Sequence, residues 1–510
     1  MSSAADPSPV SHPSPTGRNE TPTPNAGRLD DWEAHLCAPF TGRKVICAFE
    51  VLAGMTGLVD LVQRWGAQRP LLIADGFGTG PLPDTADADV LVLEPPAVDS
   101  VTEEVRARLS PEQRLTSQVI AAVKHYDPEG EALWWLNPIP HNSPLLGRAV
   151  WGGRPSHQVT LEDKLLTDDL LADIDAPKVG SVNARATYDD LTTATEHLLS
   201  FTSGTQAVWA GDSRDGINGG ADYVRWIQTP EQAQEAADFF ARHCDQVRVS
   251  PFLEGVPCSI HGIVLPDGVV VLRPVELAIL RDVRQGRFVE AGMGTTWEPP
   301  PQDTRAMREL ARSFGLNLQR RFAYRGGFGL DGVLTAEGFR VTELNPRFSG
   351  GLTRLARCAP KAQLQLVHLN ALVGRDVGRS ANEIEAEALH PLEAKRFQEA
   401  VGWSDALHTM ETQTVPVRVV SGRLEAISQR ADPTEERSIG SVLCGPSSVG
   451  TFVRLVPSAA DPPSDTTEPI PLRAAELAIL LLDFTDRTWD TQFGPLTAAP
   501  GVATRWGPVV

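Results

Sequence analysis

Two apolar runs joined by a tight turn constrain the fold of this chain more than any other feature of the sequence. Phe328–Leu334 and Phe339–Leu344 both alternate between apolar and polar residues, as strands with one buried face do. Glu337 and Gly338 lie between the two runs and favour a reversal of the chain. The pattern predicts an antiparallel β-hairpin, and it predicts which side chains of the two strands lie close together.

The polar side chains of this hairpin suit a divalent cation. Glu343 and Asn345 are two residues apart, so their side chains point to the same face of one strand. A tight turn can bring Asp331 of the other strand beside them. Two carboxylates and one amide oxygen are ligands that Mg²⁺ accepts, and they leave places for phosphate and water. We therefore predict that Asp331, Glu343 and Asn345 form a metal site.

The residues that follow the hairpin add a positive charge and a turn that can bind an anion. Arg347 is expected to reach the same face, where it would neutralise charge on a phosphoryl or acyl-phosphate oxygen. Ser349, Gly350 and Gly351 lead into a predicted helix, and backbone N–H groups at such a turn bind anions. Each residue alone is more often an ordinary surface or turn residue, but the ordered set is uncommon by chance and indicates a catalytic centre.

Length and periodicity predict several domains. The chain has 510 residues, which is too long for a single hydrophobic core. Residues 1–28 are rich in Ser, Pro, Thr and Asn, and this composition predicts a disordered tail. In residues 29–158, strand-like runs alternate with helical patterns, which predicts an α/β layer with a parallel sheet. Residues 159–375 are predicted to be α+β, and residues 376–510 to form a separate C-terminal module.

The composition limits the partners and the compartment. The net charge of −19 argues against a nucleic-acid partner, because phosphate backbones require clustered Lys and Arg. Neither a signal peptide nor an apolar run long enough to span a bilayer is apparent, so we expect no membrane partner. The six cysteines form no CxxC pair, and neither a zinc site nor a disulfide framework is indicated. We expect a reduced, cytoplasmic protein.

The spacing of Asp331, the segment Glu343-x-Asn345-Pro346-Arg347 and Gly350-Gly351 resembles the signature of the ATP-grasp superfamily. The resemblance implies a pre-ATP-grasp α/β domain at residues 29–158, followed by an ATP-grasp domain of two α+β subdomains at residues 159–375. It also implies ATP and Mg²⁺ as cofactors. The implied reaction is an ADP-forming ligation of a carboxylate to an amine through an acyl phosphate.

Three upstream segments extend the resemblance to the nucleotide site. Asp163-Lys164 resembles the start of the ATP-grasp domain, where the lysine contacts phosphate. Residues 211–220 resemble the Gly-rich flap over the phosphates, and residues 247–255 resemble the hinge that holds adenine. The residues implied in ATP binding are Lys164, Arg214, Gly216, Gly219, Gly220, Ser250, Phe252, Leu253 and Glu254.

The nucleotide site also departs from the family pattern. Ala210 stands where the strand before the flap normally carries a lysine, so Lys164 alone or an arginine such as Arg214 is expected to supply the charge. The hinge has a Ser-Pro pair in place of the usual Glu-Lys. Pro257 takes the place of the usual ribose carboxylate, which makes Glu254 the substitute candidate.

Further candidates follow from the same resemblance. It places the strand-like run Val269–Leu280 near the triphosphate, so Arg273 and Glu276 join Arg347 as candidate catalytic residues. The alternative for these two residues is an exposed pair on a strand. The Ser-Gly-Gly turn described above is expected to face the substrate acid.

The spacing of these motifs does not identify the substrates. The order of domains looks most like pheganomycin-type peptide ligases of antibiotic biosynthesis, which join an amino-acid-like carboxylate to the amine of a peptide. The same resemblance allows for a homodimer. One alternative is a small-molecule ligase of the same fold, such as a dipeptide ligase. Another is a non-catalytic ATP-binding scaffold, which the missing lysine at Ala210 favours and the complete metal set opposes.

Overall fold

The structure, a computed structural model, describes residues 30–499 except 97, 99, 137, 203, 213, 215, 220, 406–410, 428–437 and 458–471. The predicted tail at residues 1–28 and the predicted ATP ligand Gly220 lie outside the described residues. The described chain forms a five-stranded, a four-stranded and an eleven-stranded sheet, with helices packed against them. No helix in this part of the chain is long and apolar enough to cross a membrane.

The first sheet is the parallel layer that the alternation of strands and helices predicts. Its strands are β1 Val45–Glu50, β2 Leu71–Asp75, β3 Asp89–Leu93, β4 Leu133–Trp135 and β5 Val150–Trp151. Its helices are α1 Asp31–Cys37, α2 Leu52–Arg64, α3 Val101–Arg108, α4 Ser117–Tyr126 and α5 Ser156–Val159, with a 3₁₀ turn at Pro111–Arg114. The strand order is β3-β2-β1-β4-β5 with parallel pairing throughout. Strand β2 is buried along its whole length, as expected for a parallel strand covered on both faces.

The second sheet is antiparallel and follows two short 3₁₀ helices, Thr160–Glu162 and Lys164–Leu166. Its strands are β6 Val182–Arg185, β7 Ala207–Gly211, β8 Val224–Ile227 and β9 Gln246–Pro251, in the order β6-β9-β7-β8. The accompanying helices are α6 Thr167–Ala172, α7 Tyr188–Leu199 and α8 Pro230–His243. Helices α7 and α8 each begin after a threonine whose hydroxyl accepts a backbone N–H of the first turn, which fixes where they start.

The third sheet is antiparallel and contains the predicted hairpin as β14 and β15. Its strands are β10 Val256–Leu265, β11 Gly268–Val271, β12 Val275–Asp282, β13 Arg287–Gly294, β14 Gly326–Thr335, β15 Gly338–Asn345, β16 Gln398–Ser404, β17 Gln413–Val420, β18 Arg423–Ala426, β19 Gly440–Ser447 and β20 Gly450–Pro457. The order is β15-β14-β10-β12-β13-β16-β20-β19-β17-β18, and β11 pairs with β10. The helices are α9 Pro301–Phe322, α10 Gly350–Cys358, α11 Leu364–Leu372, α12 Ala381–Ala394 and α13 Ala474–Trp489, with a 3₁₀ turn at Pro360–Ala362.

The predicted fold class, α/β combined with α+β in several layers, is confirmed by these sheets. The third sheet is continuous across the predicted boundary at residue 376, because β16 pairs with β13. Helix α13 packs on β12, β13 and β16 together, so one apolar core lies beneath strands from both sides of that boundary. The domain boundaries themselves stay predictions.

Candidate active site

The hairpin places its two acids directly opposite each other. Two residues join β14 to β15, and Asp331 pairs with Glu343 in the ladder, just before a bulge. Asn345 pairs with Gly329, and its Nδ2 donates to Oδ2 of Asp331 over 2.8 Å. The structure thus brings together all three residues predicted to hold metal.

Negative charge is concentrated around this hairpin. Burial, and then the charge of Glu343, raise the pKa of Asp331 to about 7. Burial and the charges of Glu343 and Glu399 likewise raise the pKa of Glu290 on β13. Sequence reasoning missed Glu290, since no motif surrounds it and two strands separate β13 from β14 in the sheet.

The donor set fits Mg²⁺. Carboxylates that repel each other in an enclosed site are stabilised by a divalent cation, and Mg²⁺ prefers oxygen ligands. Within the described ranges, no group of three His, Cys, Asp or Glu side chains is arranged to hold a metal ion. The third protein oxygen would therefore come from the amide of Asn345, as the sequence predicts.

Two cations flank the acids. Lys164 Nζ donates to Oε2 of Glu343 over 2.7 Å. Arg347 Nη1 forms an ion pair with Oε1 of Glu162, which also accepts from Nη1 of Arg154 over 2.7 Å. Burial opposes ionisation of Glu162, but Arg347 and Arg154 together hold its pKa below the usual range. One buried carboxylate therefore fixes the predicted catalytic arginine, and neither Glu162 nor Arg154 belongs to a motif that could have revealed this.

The Ser-Gly-Gly turn begins α10, as predicted. Ser349 immediately precedes the helix, and its buried hydroxyl has no hydrogen-bond partner among the described residues. A Cβ at Gly351 would lie 2.4 Å from Nε2 of His261, so only glycine lets the helix approach β10 this closely. At Gly350 the nearest atom to a Cβ is the flexible end of Arg354, at 3.1 Å. The turn thus has one glycine required by packing and one free hydroxyl that can serve a ligand.

His261 packs against this turn as an uncharged side chain. It lies on β10 opposite Gly329, which pairs in turn with Asn345. Burial lowers the pKa of His261 to about 4, so the ring is neutral at pH 7. His261 is therefore a neutral, buried residue beside the site.

The Gly-rich flap is attached to α3 of the parallel-sheet region. The Gly219 N–H donates to Oγ1 of Thr102 over 3.2 Å, and the Gly219 carbonyl accepts from the same hydroxyl over 3.1 Å. Arg106 donates to the carbonyl of Ile217 over 3.1 Å. Gly216 has a φ of +109°, a conformation that other residues rarely adopt. These contacts hold the flap against α3 of the N-terminal region.

Arg214, the proposed substitute for the missing lysine, is engaged elsewhere. Its Nη1 lies 3.1 Å from Oδ1 of Asp245, and its Nη2 donates to the carbonyl of Arg242 over 2.9 Å. These contacts attach Arg214 to the end of α8 and do not bring it to Lys164 or Glu343.

Arg248 is the cation that the structure places beside Ala210. The two residues pair directly in the ladder of β7 and β9, so their side chains share one face. Its guanidinium donates to Asp168 over 2.7 Å and to the carbonyl of Thr342 on β15 over 3.3 Å. Arg248 therefore carries positive charge from the four-stranded sheet to the hairpin strand. The sequence could not show this, because the arginine lies on a neighbouring strand.

The predicted adenine hinge connects β9 to β10 and thus joins the second sheet to the third. Ser250 pairs with Val208 in the ladder and is buried, while the ring of Phe252 stacks on Trp226 at 4.8 Å between centroids. The predicted ribose ligand Glu254 forms a two-point contact with Arg281, at 2.7 and 3.2 Å. Leu253, between them, is half-buried. The four residues lie at the end of β9 and in the segment that follows it, and the Glu254 carboxylate already has a partner.

Arg273 and Glu276 are not brought to the acidic cluster. Glu276 is fully buried and accepts from Nε of Arg473 over 2.9 Å and from the N–H of Ala474 over 3.0 Å, at the start of α13. Arg273 donates to the carbonyl of Leu392 over 2.7 Å. These contacts connect both side chains to C-terminal helices. A catalytic role for Arg273 or Glu276 would require these contacts to break.

The pairing of the strands explains why Glu276 points away from the metal candidates. Glu276 pairs with Cys258 on β10, whereas Asp331 pairs with the next residue, Ser259. Successive residues of a strand point to opposite faces, so the two acids lie on opposite sides of the sheet.

Several known structures are similar to this chain to different degrees. The biotin carboxylase domain of the Hydrogenobacter thermophilus 2-oxoglutarate carboxylase, solved with ADP, magnesium and bicarbonate, has a TM-score of 0.50 at 10% identity, covering 81% of this chain and 86% of that chain. An L-amino acid ligase from Bacillus licheniformis has a TM-score of 0.46 at 13% identity and coverages of 81% and 93%. A phosphoribosylamine–glycine ligase from Thermotoga maritima has a TM-score of 0.47 at 14% identity and coverages of 81% and 90%.

These similarities concern the fold. No protein-family model and no curated protein matches the sequence. The TM-score of 0.50 shows that this chain has a fold similar to that of the carboxylase domain. At 10% identity it carries no residue role to this chain, so the roles of the site residues are argued from their own geometry.

Proposed function

We propose that this protein is an ATP-dependent, ADP-forming ligase that joins a carboxylate to an amine. The observation that carries the proposal is the pairing of Asp331 with Glu343, with Asn345 bonded to the first acid and Lys164 to the second. A fold shared with a carboxylase domain that was solved with ADP and magnesium supports the same nucleotide chemistry. A protein that only bound ATP would have little use for a complete set of metal ligands.

In the proposed site, Asp331, Glu343 and Asn345 would hold Mg²⁺. When bound, Mg²⁺ neutralises phosphate charge and orients the phosphates for attack. The repulsion that contributes to the raised pKa of Asp331 is of the kind that a divalent cation relieves.

The proposed reaction has two steps. A carboxylate oxygen of the donor attacks the γ-phosphorus of ATP, the bond to the β-phosphate oxygen breaks, and ADP leaves. The amine of the acceptor then attacks the acyl carbon, inorganic phosphate leaves, and an amide forms. The chain contributes mainly by positioning the groups and by stabilising the developing charge.

The side chains around the hairpin have separate roles in this scheme. Arg347, held by Glu162, stabilises charge on the transferred phosphoryl group, and Lys164 adds a second positive charge. The Ser349 hydroxyl and the first N–H groups of α10 would bind the donor carboxylate. The flap, held by Thr102, would keep water from the acyl phosphate, which hydrolyses readily.

The finer proposal is that the acceptor is a peptide and that the reaction belongs to antibiotic biosynthesis in the cytoplasm. The peptide acceptor is supported by a cavity of about 1040 Å³ beside α10. This volume is at the upper end of small-molecule pockets, so it offers more space than a single amino acid needs. A dipeptide ligase of the same fold would use only part of this cavity.

The proposed function can be tested by ADP release from MgATP. The twenty amino acids would be supplied singly as donors, each with hydroxylamine, with a second amino acid or with triglycine as the amine. We expect ADP and a hydroxamate with hydroxylamine, and faster ADP release with the peptide than with a second amino acid. Activity with amino acids alone would favour a dipeptide ligase. Absence of ADP release with every pair, while ATP still binds, would favour a scaffold.

A further inference from the structure

A large cavity lies between the parallel sheet, α2, α10 and the start of β16. Cys47 and Ala48 of β1, Leu58 of α2, Arg357 of α10 and Gln398 of β16 line it, and its volume is about 1040 Å³. The carboxyl end of β1 opens into this cavity, and ligands of parallel α/β sheets bind at that end of the strands. The acidic cluster of the hairpin does not line it, so the cavity is separate from that cluster, and α10 forms part of its wall.

Positive side chains that form no ion pair line part of this cavity. The side chains of Arg357 and Lys395 form no hydrogen bond or ion pair with any of the described residues, in contrast to Arg396, which pairs with Glu298. The chain has 65 acidic against 46 basic residues, so partners are plentiful elsewhere on its surface. Glu399 acts on Arg357 only through space, without an ion pair. Two cations that share one cavity and form no ion pair indicate a place for an anion.

The charges within the cavity are unevenly distributed. The Cys358 thiol in the wall is within electrostatic reach of Lys395, Arg273, Arg396 and Arg357, although burial keeps its pKa raised. Two acids line the cavity, and both already have a partner within the protein. Glu33 accepts a hydrogen bond from Nε2 of Gln363 over 2.7 Å, and Glu50 also interacts with another residue. Positive charge therefore predominates on the side formed by α10 and the chain after α12.

Helix α10 connects this cationic side to the proposed chemistry. Arg357 follows Gly351 by six residues, which corresponds to about 9 Å along a helix. On α2, a Cβ at Gly57 would lie 3.6 Å from Nη2 of Arg357, so the guanidinium lies close against that helix. An extended chain covers about 3.3 Å per residue, so a ligand of about three residues would span this distance.

We propose that this cavity binds the amine-bearing substrate, and that Arg357 and Lys395 recognise an anionic group, a carboxylate or a phosphate, at the end remote from the amine. The inference rests on the proposed function, because it names the acceptor of that reaction. Leu58, Trp65 and Phe397 give the cavity an apolar wall for the body of the ligand. A short peptide with a free C-terminal carboxylate has the required length, charge and amine.

Calorimetric binding in the absence of ATP tests the inference with two matched pairs of probes. The first pair is triglycine and triglycine amide, and the second is O-phosphoethanolamine and ethanolamine. We expect the anionic member of one pair to bind at least about tenfold more tightly, because hydrogen bonds to charged groups contribute on this scale. A preference in the first pair assigns a carboxylate, and a preference in the second assigns a phosphate.

Variants that remove a positive charge show which residues cause the preference for the anionic probe. Arg357→Gln and Lys395→Gln should each reduce it at least about threefold, while Lys178→Gln, an exposed lysine outside the cavity, should retain it. Equal affinity within both pairs, or no binding of any probe, would overturn the inference even if hydroxylamine supports ADP release. If the anionic probe is preferred but no donor supports ADP release, the anion site is retained and the proposed ligase function is contradicted.

Discussion

Asp331 and Glu343 are directly paired residues of one hairpin, and Lys164 donates to the second of them over 2.7 Å. After the effect of burial, the charge of Glu343 is the next cause that raises the pKa of Asp331 to about 7. Two acids so arranged are unfavourable without positive charge nearby.

Replacing Glu343 by Gln should reduce kcat for ADP release by at least about 100-fold, since it removes one of the two carboxylates proposed to hold Mg²⁺. The variant should remain folded, because the change also removes a repulsion with Asp331. Glu337→Gln is the matched control, an exposed glutamate in the turn of the same hairpin. ADP release and thermal unfolding measure the two effects, and near-normal turnover would rule out the metal assignment.

Replacing Lys164 by Ala should raise KM for ATP about tenfold or more, because a charged donor to phosphate is lost. Lys178→Ala, which removes an exposed lysine, serves as the control. Initial rates at varied ATP concentration measure the effect. An unchanged KM would transfer the phosphate contact to another cation, with Arg248 the first to examine.

Replacing Glu162 by Gln should lower kcat more than it raises KM for ATP, because Glu162 is bonded to Arg347, the residue proposed to stabilise the transferred phosphoryl group. The carboxylate is buried between two arginines, so its loss should also destabilise the fold by about 3–5 kcal/mol. Steady-state kinetics and chemical denaturation measure the two effects. A variant with wild-type stability and activity would contradict this role.

The lowered pKa of Glu162 should also make the free energy of unfolding depend on pH. Its pKa is lowered in the folded protein, so in acid the unfolded chain binds more protons than the folded one. The stability that it contributes is present above the ordinary pKa of 4.5 and is lost as the pH falls through the folded value. The free energy of unfolding, measured by denaturation between pH 7 and pH 3, should therefore fall more steeply with decreasing pH for the wild type than for Glu162→Gln. Parallel plots of this free energy against pH would contradict the prediction.

Replacing Gly351 by Ala should destabilise the protein by about 1–3 kcal/mol, because the new Cβ would lie 2.4 Å from Nε2 of His261. Gly350→Ala is the matched control on the same turn, where the nearest atom is the movable end of Arg354 at 3.1 Å. The added substitution His261→Ala should restore part of the lost stability. Equal melting temperatures for the two glycine variants would contradict the packing argument.

Replacing Thr102 by Val should uncouple ATP consumption from product formation. The hydroxyl makes both the 3.2 and 3.1 Å contacts to Gly219, and without them water would reach the acyl phosphate more often. The ratio of ADP to amide should therefore rise, while KM for ATP changes little. Thr193→Val, an exposed site on α7, is the control, and a ratio that stays near one would separate Thr102 from flap closure.

The hairpin and its three proposed metal ligands could be predicted from sequence because every relation among them is local. The period of two in a strand places Glu343 and Asn345 on one face, and a two-residue turn brings Asp331 opposite. The parallel layer was predictable for a similar reason, since alternating strands and helices have few topological solutions.

The surroundings of that hairpin were decided by tertiary structure. Glu290 and Glu162 approach it from distant parts of the chain, and Arg248 lies on a neighbouring strand beside Ala210, where a lysine was expected. The same limit explains Glu276, whose face in the sheet follows from its pairing with β10 and not from its own run of residues. Local periodicity determines which way a side chain points within its element, whereas the pairing and packing of remote elements determine what it meets there.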